Sequence, residues 1–386
     1  VESPLYSPET PEDPIPIDIR KREMPRQSSR APKARQLTLE LEDGSTYTGA
    51  SFGHPRPVAG EVVFNTGMVG YPESLTDPSY SGQILVMTYP LIGNYGVPDG
   101  PSSDGLSSSL ESGAIHVRGL VVSEYSEYYS HWTAAKSLSD WMREGRVPGI
   151  SGVDTRAITK KIRERGTMPG RIVAGDSAPD FEDPNTRNLV AEVSISDPIE
   201  YPRGTRRIAL VDCGVKNSII RALTRRDLTV IRCPWDYDFM ELKPHGVVIS
   251  NGPGDPQMVP ETVENVRRAL DANIPTLGVC LGSQVLGLAA GAGTYKLKYG
   301  HRSQNQPCME TGTKRCYITP QNHGYAIDAD TLPEDWREWF FNNNDGSNEG
   351  IKHISKPLFG AQFHPEASPG PDDTEFLFDV FVRALR

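Results

Sequence analysis

A single cysteine set between glycines constrains this chain more than any other feature. In PTLGVCLGSQVLGLAAG, residues 275–291, Pro275 to Val279 read as a short buried strand. Val285, Leu286, Leu288 and Ala289 then fall on the inner face of a helix. Cys280 sits on the sharp turn between the two. Gly278 and Gly282 remove side chains that would clash in so tight a bend. Two readings stand: a nucleophile held up on an elbow, or a buried structural cysteine, the usual fate of a free one.

The segments around the elbow alternate strand and helix. RIALVDCG (207–214), LTVIRCP (228–234) and GVVISNGPGDP (246–256) read as strands running into loops, while NSIIRALTRRD (217–227) and ETVENVRRALDA (261–272) read as helices. This is the rhythm of an α/β, doubly wound, mostly parallel sheet, assigned to residues 207–386. Ligands bind such sheets outside the carboxyl ends of the strands, which puts the SNGPGDP loop and Cys280 on one rim. Ahead of it, residues 37–190 read as a smaller mixed α/β domain. Leu37, Leu39 and Leu41 alternate before Asp43-Gly44 and Tyr47, the pattern of a β-hairpin. GEVVFNT (60–66), GQILVMTYP (82–90) and HVRGLVVSEY (116–125) add strands. HWTAAKSLSDWMREG (131–145) and DTRAITKKIRERG (154–166) have helical spacing, the second capped by Asp154. Prolines and a glycine from Pro179 to Gly204 mark the connection, with residues 191–206 as linker. Residues 1–36 read as a flexible proline-rich tail.

Composition excludes several classes. A net charge of −10 over 386 residues lacks the basic footprint of a nucleic-acid binder, and no apolar run is long enough to span a membrane. Five cysteines, an odd number with no C-x-x-C spacing, argue against a disulfide framework or a metal site. A reducing intracellular compartment, the cytoplasm, is expected. Glu9, Glu12, Asp13, Asp18 and Glu23 are out of place in an organelle transit peptide. The chain does not open on methionine, as expected of a processed or excised piece.

A nucleophilic cysteine needs a base and a group to orient it. The strand–turn–helix elbow is the device that raises the serine of G-x-S-x-G hydrolases. In LFGAQFHPEASPGP, Phe359, Ala361 and Phe363 alternate as in a strand, His364 stands at its end, and Glu366 projects to the same side. A carboxylate there would fix the imidazole tautomer. The plain alternative is a surface histidine beside a surface acid. The backbone N–H of Leu281, at the helix start, and those of the Gly252–Gly254 loop are placed to stabilise an oxyanion.

Together these residues resemble the class I glutamine amidotransferases. Gly278, Val279, Cys280, Gly282 and Gln284 match that family's elbow, and FHPE matches its terminal His-Pro-Glu. From about residue 37 to residue 386 the chain is similar to the small, glutamine-hydrolysing component of carbamoyl phosphate synthetase. GEVVFNTGMVGYPESLTDPSYSGQILVMTYPLIGNYGVP, GVDTRAITKKIRERG, SNGPGDP, QNHGYAID and FHPEASPGP carry the likeness. The resemblance implies that Cys280, His364 and Glu366 are catalytic. It implies glutamine contacts at Ser79, Gly252, Gly254, Leu281, Gln284, Asn322, Gly324 and Tyr325. The chain departs from the usual pattern at Ser283, where relatives commonly have histidine, and at Ser303-Gln304, where many have Gly-His.

The resemblance also implies a partner: a synthetase component that binds ATP, Mg²⁺ and bicarbonate and receives the ammonia, either as a separate subunit or as a fused segment. This chain is expected to hold no cofactor. It has no G-x-x-x-x-G-K-S/T phosphate loop, and the glycines of GLAAGAGTYK read as ending a helix and opening a strand. GMVGYPE, NQPC and NNNDGSNEGI look closer to the eukaryotic pyrimidine-pathway form, whereas EYSEYYSHWTA is also similar to the fungal arginine-specific form, for which a mitochondrial location would follow. The alternative is a non-catalytic or weakly active regulatory or scaffold subunit of the same complex. A peptidase or γ-glutamyl hydrolase on the same sheet would leave the first domain unexplained.

Overall fold

The alternating leucines of the first hairpin form one side of a barrel. The computed structural model describes residues 35–99 and 105–385, so the tail expected over residues 1–36 lies outside it but for Arg35 and Gln36. Gln36–Leu41 and Thr46–Ser51 pair antiparallel around Asp43-Gly44, with Gly44 at φ 83°. Leu37, Leu39 and Leu41 are buried and the residues between them are not. The closed barrel runs in the order Gln36–Leu41, Met168–Val173, Val58–Asn65, Gln83–Met87, Gly119–Val121, Gly149–Ser151, Thr46–Ser51. Closure removes the free sheet edges that a small open sheet would expose. The helix Thr155–Arg165 starts where expected: Asp154 accepts a hydrogen bond from the Ala157 N–H at 2.9 Å, a cap worth ~1 kcal/mol. Its Ile158 and Ile162, one turn apart, enter the barrel's apolar cluster.

One expected helix is shorter than its pattern. Within residues 131–145 only Leu138–Glu144 is helical. The Ser137 hydroxyl accepts from the Asp140 N–H at 3.0 Å, which fixes the start there, and Ala134–Lys136 pairs instead with Val97–Pro98.

The second half is a ten-stranded sheet. Leu228–Pro234, Arg206–Asp212, Gly246–Ile249, Thr276–Val279 and Leu358–Ala361 lie side by side and parallel. Ile208 and Leu210 pack into a cluster with Ile219, Leu223, Leu377 and Phe381 on one face. Ala209 and Val211 pack with Val266, Ala269, Val285 and Leu286 on the other. Burial on both faces is why these strands read as unbroken apolar runs. The segment read as linker supplies an edge strand, Ile199–Tyr201, antiparallel to Leu228–Pro234. Beyond Leu358–Ala361 the sheet continues antiparallel through Asn348–His353, Trp336–Asn342, Gly293–Glu310 and Cys316–Asp328. Gly291, at φ 104°, closes the helix Leu281–Ala290, and Gly293 opens the next strand, as their spacing suggested.

Gly293–Glu310 and Cys316–Asp328 form a long ribbon with two register shifts. The ribbon meets the barrel where the Thr66 N–H donates to the Arg302 carbonyl at 3.1 Å, the Thr167 N–H donates to the Lys298 carbonyl at 2.9 Å, and Lys296 pairs with Glu61 at 2.8 Å. Among the described residues no helix is long and apolar enough to cross a membrane. The five cysteines are unpaired, and only Cys316 is exposed.

Candidate active site

Cys280 joins the strand Thr276–Val279 to the helix Leu281–Ala290 with φ 54° and ψ −109°, a conformation a residue with a β-carbon adopts only when its surroundings impose it. They do so here. The Cys280 N–H donates to the Ala361 carbonyl of the neighbouring strand at 2.8 Å, and its carbonyl accepts from the Ser283 and Gln284 N–H groups at 3.0 and 3.3 Å. A side chain at Gly282 would run into the Ile249 carbonyl, and one at Gly278 into the backbone of Gly282. Both glycines are thus required by close approach. Leu281 opens the helix, so its N–H has no acceptor within it.

His364 and Glu366 lie where the extended His-Pro-Glu segment places them. His364 Nδ1 and Glu366 Oε1 are 2.6 Å apart, and both side chains are buried. Lys216, which sequence reasoning missed, completes the group: its ammonium is 3.0 Å from Glu366 Oε1 and donates to the Ala367 carbonyl at 2.7 Å. Burial alone would push the Glu366 carboxyl up, but Lys216 and His364 outweigh it and hold the group well below the usual carboxylate range. Burial pulls His364 down; the Glu366 carboxylate, helped by Cys280, overcomes both burial and Lys216 and raises it. Nε2 of His364 is buried without a hydrogen-bond partner. The Cys280 thiol is near the Asn322 carbonyl, at 3.6 Å, and the Gln362 amide, at 3.7 Å.

A cleft opens beside Cys280. All eight residues expected to contact glutamine line it: Ser79, Gly252, Gly254, Leu281, Gln284, Asn322, Gly324 and Tyr325. Ser79 reaches it from the first domain, and Asp77 ties that domain to the second. Asp77 Oδ1 accepts from the Ser79 N–H at 2.9 Å and from Asn251 Nδ2 at 3.2 Å; Oδ2 accepts from Asn322 Nδ2 at 2.8 Å. Gln284 donates to the Tyr325 carbonyl at 2.9 Å and to Gln362 Oε1 at 3.0 Å, leaving its own Oε1 buried and unpartnered. Glu61, Lys296 and Arg302 also line the cleft and were not foreseen. Burial would raise the Glu61 carboxyl, but Lys296 and Arg302 prevail and keep it low. A carboxylate and two cations in one cleft suit the ammonium and carboxylate of an amino acid.

The two unusual positions fit without distortion of the elbow. Ser283 is buried against Gly360, and its hydroxyl has no partner. Gln304 crosses to the first domain and donates to the Val69 carbonyl at 2.6 Å.

Comparison with known proteins agrees with this geometry. Residues 39–172 match the family model of the carbamoyl-phosphate synthase small chain, CPSase domain, and residues 209–384 match that of the class-I glutamine amidotransferases. The chain is 51% identical to multifunctional protein pyr-3 of Neurospora crassa, covering 92% of this chain and 21% of that protein. It is 51% identical to multifunctional protein CAD of Squalus acanthias, covering 90% of this chain and 16% of the relative. It is 50% identical to the mitochondrial carbamoyl-phosphate synthase (ammonia) of Homo sapiens, covering 92% and 24%. The chain thus spans about a quarter or less of the length of these relatives. A barrel matching one model and a sheet with its cysteine elbow matching the other make this chain a carbamoyl-phosphate synthase small-chain domain joined to a class-I glutamine amidotransferase domain, closely related to the eukaryotic multifunctional proteins.

Proposed function

We propose that this chain hydrolyses glutamine to glutamate and ammonia and supplies the ammonia to a synthetase that makes carbamoyl phosphate. The observation that carries the reading is Cys280, raised on its elbow, lining a cleft to which both domains contribute, with the buried His364–Glu366 pair close enough for Cys280 to help raise His364. As Cys280 Sγ attacks the side-chain amide carbon its thiol proton passes to His364, and the carbonyl oxygen takes up negative charge facing the Leu281 N–H. His364 passes a proton to the departing nitrogen, the C–N bond breaks, and ammonia leaves a γ-glutamyl thioester on Cys280. Water then gives a proton to His364 as it attacks the thioester, and His364 returns that proton to Sγ as the C–S bond breaks, freeing glutamate and the thiol. Glu366 keeps Nδ1 protonated, so that Nε2 does the transfer.

Ammonia is mostly ammonium at neutral pH, and ammonium is no nucleophile, so direct passage to a sheltered second site is favoured. That site belongs to a partner domain or subunit that holds ATP, Mg²⁺ and bicarbonate; this chain needs no cofactor for the chemistry above. The segments GMVGYPE, NQPC and NNNDGSNEGI, similar to the eukaryotic pyrimidine-pathway form, support that pathway and the cytoplasm over an arginine-specific mitochondrial role. A second reading, a non-catalytic scaffold, is kept by the likeness to a relative whose name specifies ammonia. The test is glutamate release by this chain and by Cys280→Ser, with and without a synthetase component. Release that increases with the partner and vanishes in the variant supports the proposal. No release in either condition, with the partner still bound, supports the scaffold.

A further inference from the structure

On the ribbon, one register position away from the Arg302–Asn322 pair that reaches the cleft, His301 and His323 stand opposite each other. Their rings meet edge to face, 5.0 Å apart at 87°. His323 is flanked by two acceptors: Nδ1 is 2.8 Å from the Tyr325 carbonyl and Nε2 is 2.9 Å from Gln321 Oε1. The carbonyl cannot turn. The Gln321 amide is oriented by its own nitrogen, which donates to Thr319 Oγ1 at 3.1 Å and to Cys308 Sγ at 3.2 Å. A neutral imidazole has one N–H and one lone pair, so one of its nitrogens faces an acceptor with nothing between them. His323 is buried, and the His301 ring and Arg302 beside it disfavour a second positive charge there.

The neighbours complete a donor set. His301 Nε2 is fixed by Asp345 Oδ2 at 2.9 Å, and its Nδ1 lies 3.2 Å from Glu349 Oε1. Glu349 is fully buried; Asn342 donates to Oε1 at 2.8 Å, while Oε2 has no partner. One donor atom from each of His301, His323 and Glu349 lies within 4.8 Å of the others. We propose that His301 Nδ1, His323 Nε2 and the Glu349 carboxylate, with Gln321 Oε1 as fourth donor, form a buried zinc site. Each histidine then shows the arrangement usual for a metal ligand: one nitrogen toward the ion, the other N–H given to a carboxylate or a backbone carbonyl. Zinc at about 2.0–2.2 Å from each donor separates donors by roughly 3.3 Å; His301 Nδ1 and Glu349 Oε1, 3.2 Å apart, already match that spacing, whereas His323 Nε2 and Gln321 Oε1, 2.9 Å apart, must part slightly to admit the ion. His301 stands between Asp345 and Glu349, and zinc must displace any proton on its Nδ1. The ion would bind the ribbon carrying Asn322, Gly324 and Tyr325 to the strand Asn348–His353. His323 also lines the cleft beside Cys280, so zinc is followed by metal content and melting temperature, independently of glutamine hydrolysis.

The probe is zinc alone, with the full chain carrying Cys280→Ser and Cys316→Ser so that neither thiol contributes. After exposure to zinc and dialysis, metal content and melting temperature are measured for this protein and for the same protein with Glu349→Gln or Asp345→Asn added. Expected are stoichiometric retained zinc and a raised melting temperature, both lost with Glu349→Gln. With Asp345→Asn, whose side chain is partly exposed, zinc affinity should weaken about 10–100-fold. Should Glu349→Gln fail to fold, Asp345→Asn decides. Sub-stoichiometric zinc, binding unchanged by Asp345→Asn, or nitrogen NMR showing His323 doubly protonated at neutral pH would each overturn the proposal.

Discussion

Replacing Lys216 with methionine tests whether the buried cation, rather than the histidine–carboxylate contact alone, holds the catalytic group in place. Lys216 and Glu366 are 3% and 0% exposed and 3.0 Å apart, so neither charge has water to fall back on. Removing one member of a buried pair costs about 3–5 kcal/mol because the other is left uncompensated. Glu366 keeps His364 as a partner, which places the expected loss near the lower end, about 3 kcal/mol. At roughly 2–4 °C per kcal/mol for a domain of this size, the melting temperature should fall by about 6–12 °C at neutral pH. The pH dependence has a defined sign. Glu366 is depressed in the folded chain, so its stabilisation is present above its ordinary value of 4.5 and disappears as pH falls through the lower folded value. His364 is raised, so its share is present below 6.5 and is lost as pH rises through the folded value. Lys216 opposes protonation of both groups. The gap between wild type and Lys216→Met should therefore narrow as acid protonates Glu366. Calorimetry from neutral pH downward measures this. A melting temperature within a degree of wild type at neutral pH, or a gap that does not change with pH, would refute the reasoning.

Two further substitutions examine how the site is held. Glu366→Gln keeps the shape but no longer fixes the Nδ1 proton, so kcat should fall by about 10²–10⁴-fold with a smaller change in KM, read by glutamate release. Asp77→Asn turns a double acceptor into a group with donors facing those of Ser79, Asn251 and Asn322. It should raise KM for glutamine by roughly tenfold, at a cost of about 1–3 kcal/mol; an unchanged KM would show that the first domain does not shape the cleft.

Local patterns carried the elbow and the His-Pro-Glu segment. Gly278, Cys280 and Gly282 are close in sequence, and their crowding is a property of one turn. The alternation of Phe359, Ala361 and Phe363 also puts Gln362 on the face of His364, a signal that was present and not used. Lys216 and Asp77 were out of reach for a different reason. They lie 150 and 289 residues from Glu366, and nothing local shows that folding buries both beside the site. The antiparallel half of the sheet was obscure because Gly293–Glu310 is largely polar and partly exposed and its pairing slips twice, so no period-two pattern survives. The eight residues expected to contact glutamine came from resemblance, whereas Glu61, Lys296 and Arg302 became visible only once the barrel and the ribbon were seen to share a cleft.

The most direct test of the central claim is to trap the intermediate. Wild-type chain is mixed with glutamine, quenched in acid, digested and examined by mass spectrometry for a γ-glutamyl group on the peptide containing Cys280. The account predicts the adduct on Cys280, its absence with Cys280→Ser, and its accumulation with Glu366→Gln if hydrolysis of the thioester is slowed more than its formation. Glutamate production without any adduct on Cys280, or an adduct on another residue, would contradict it.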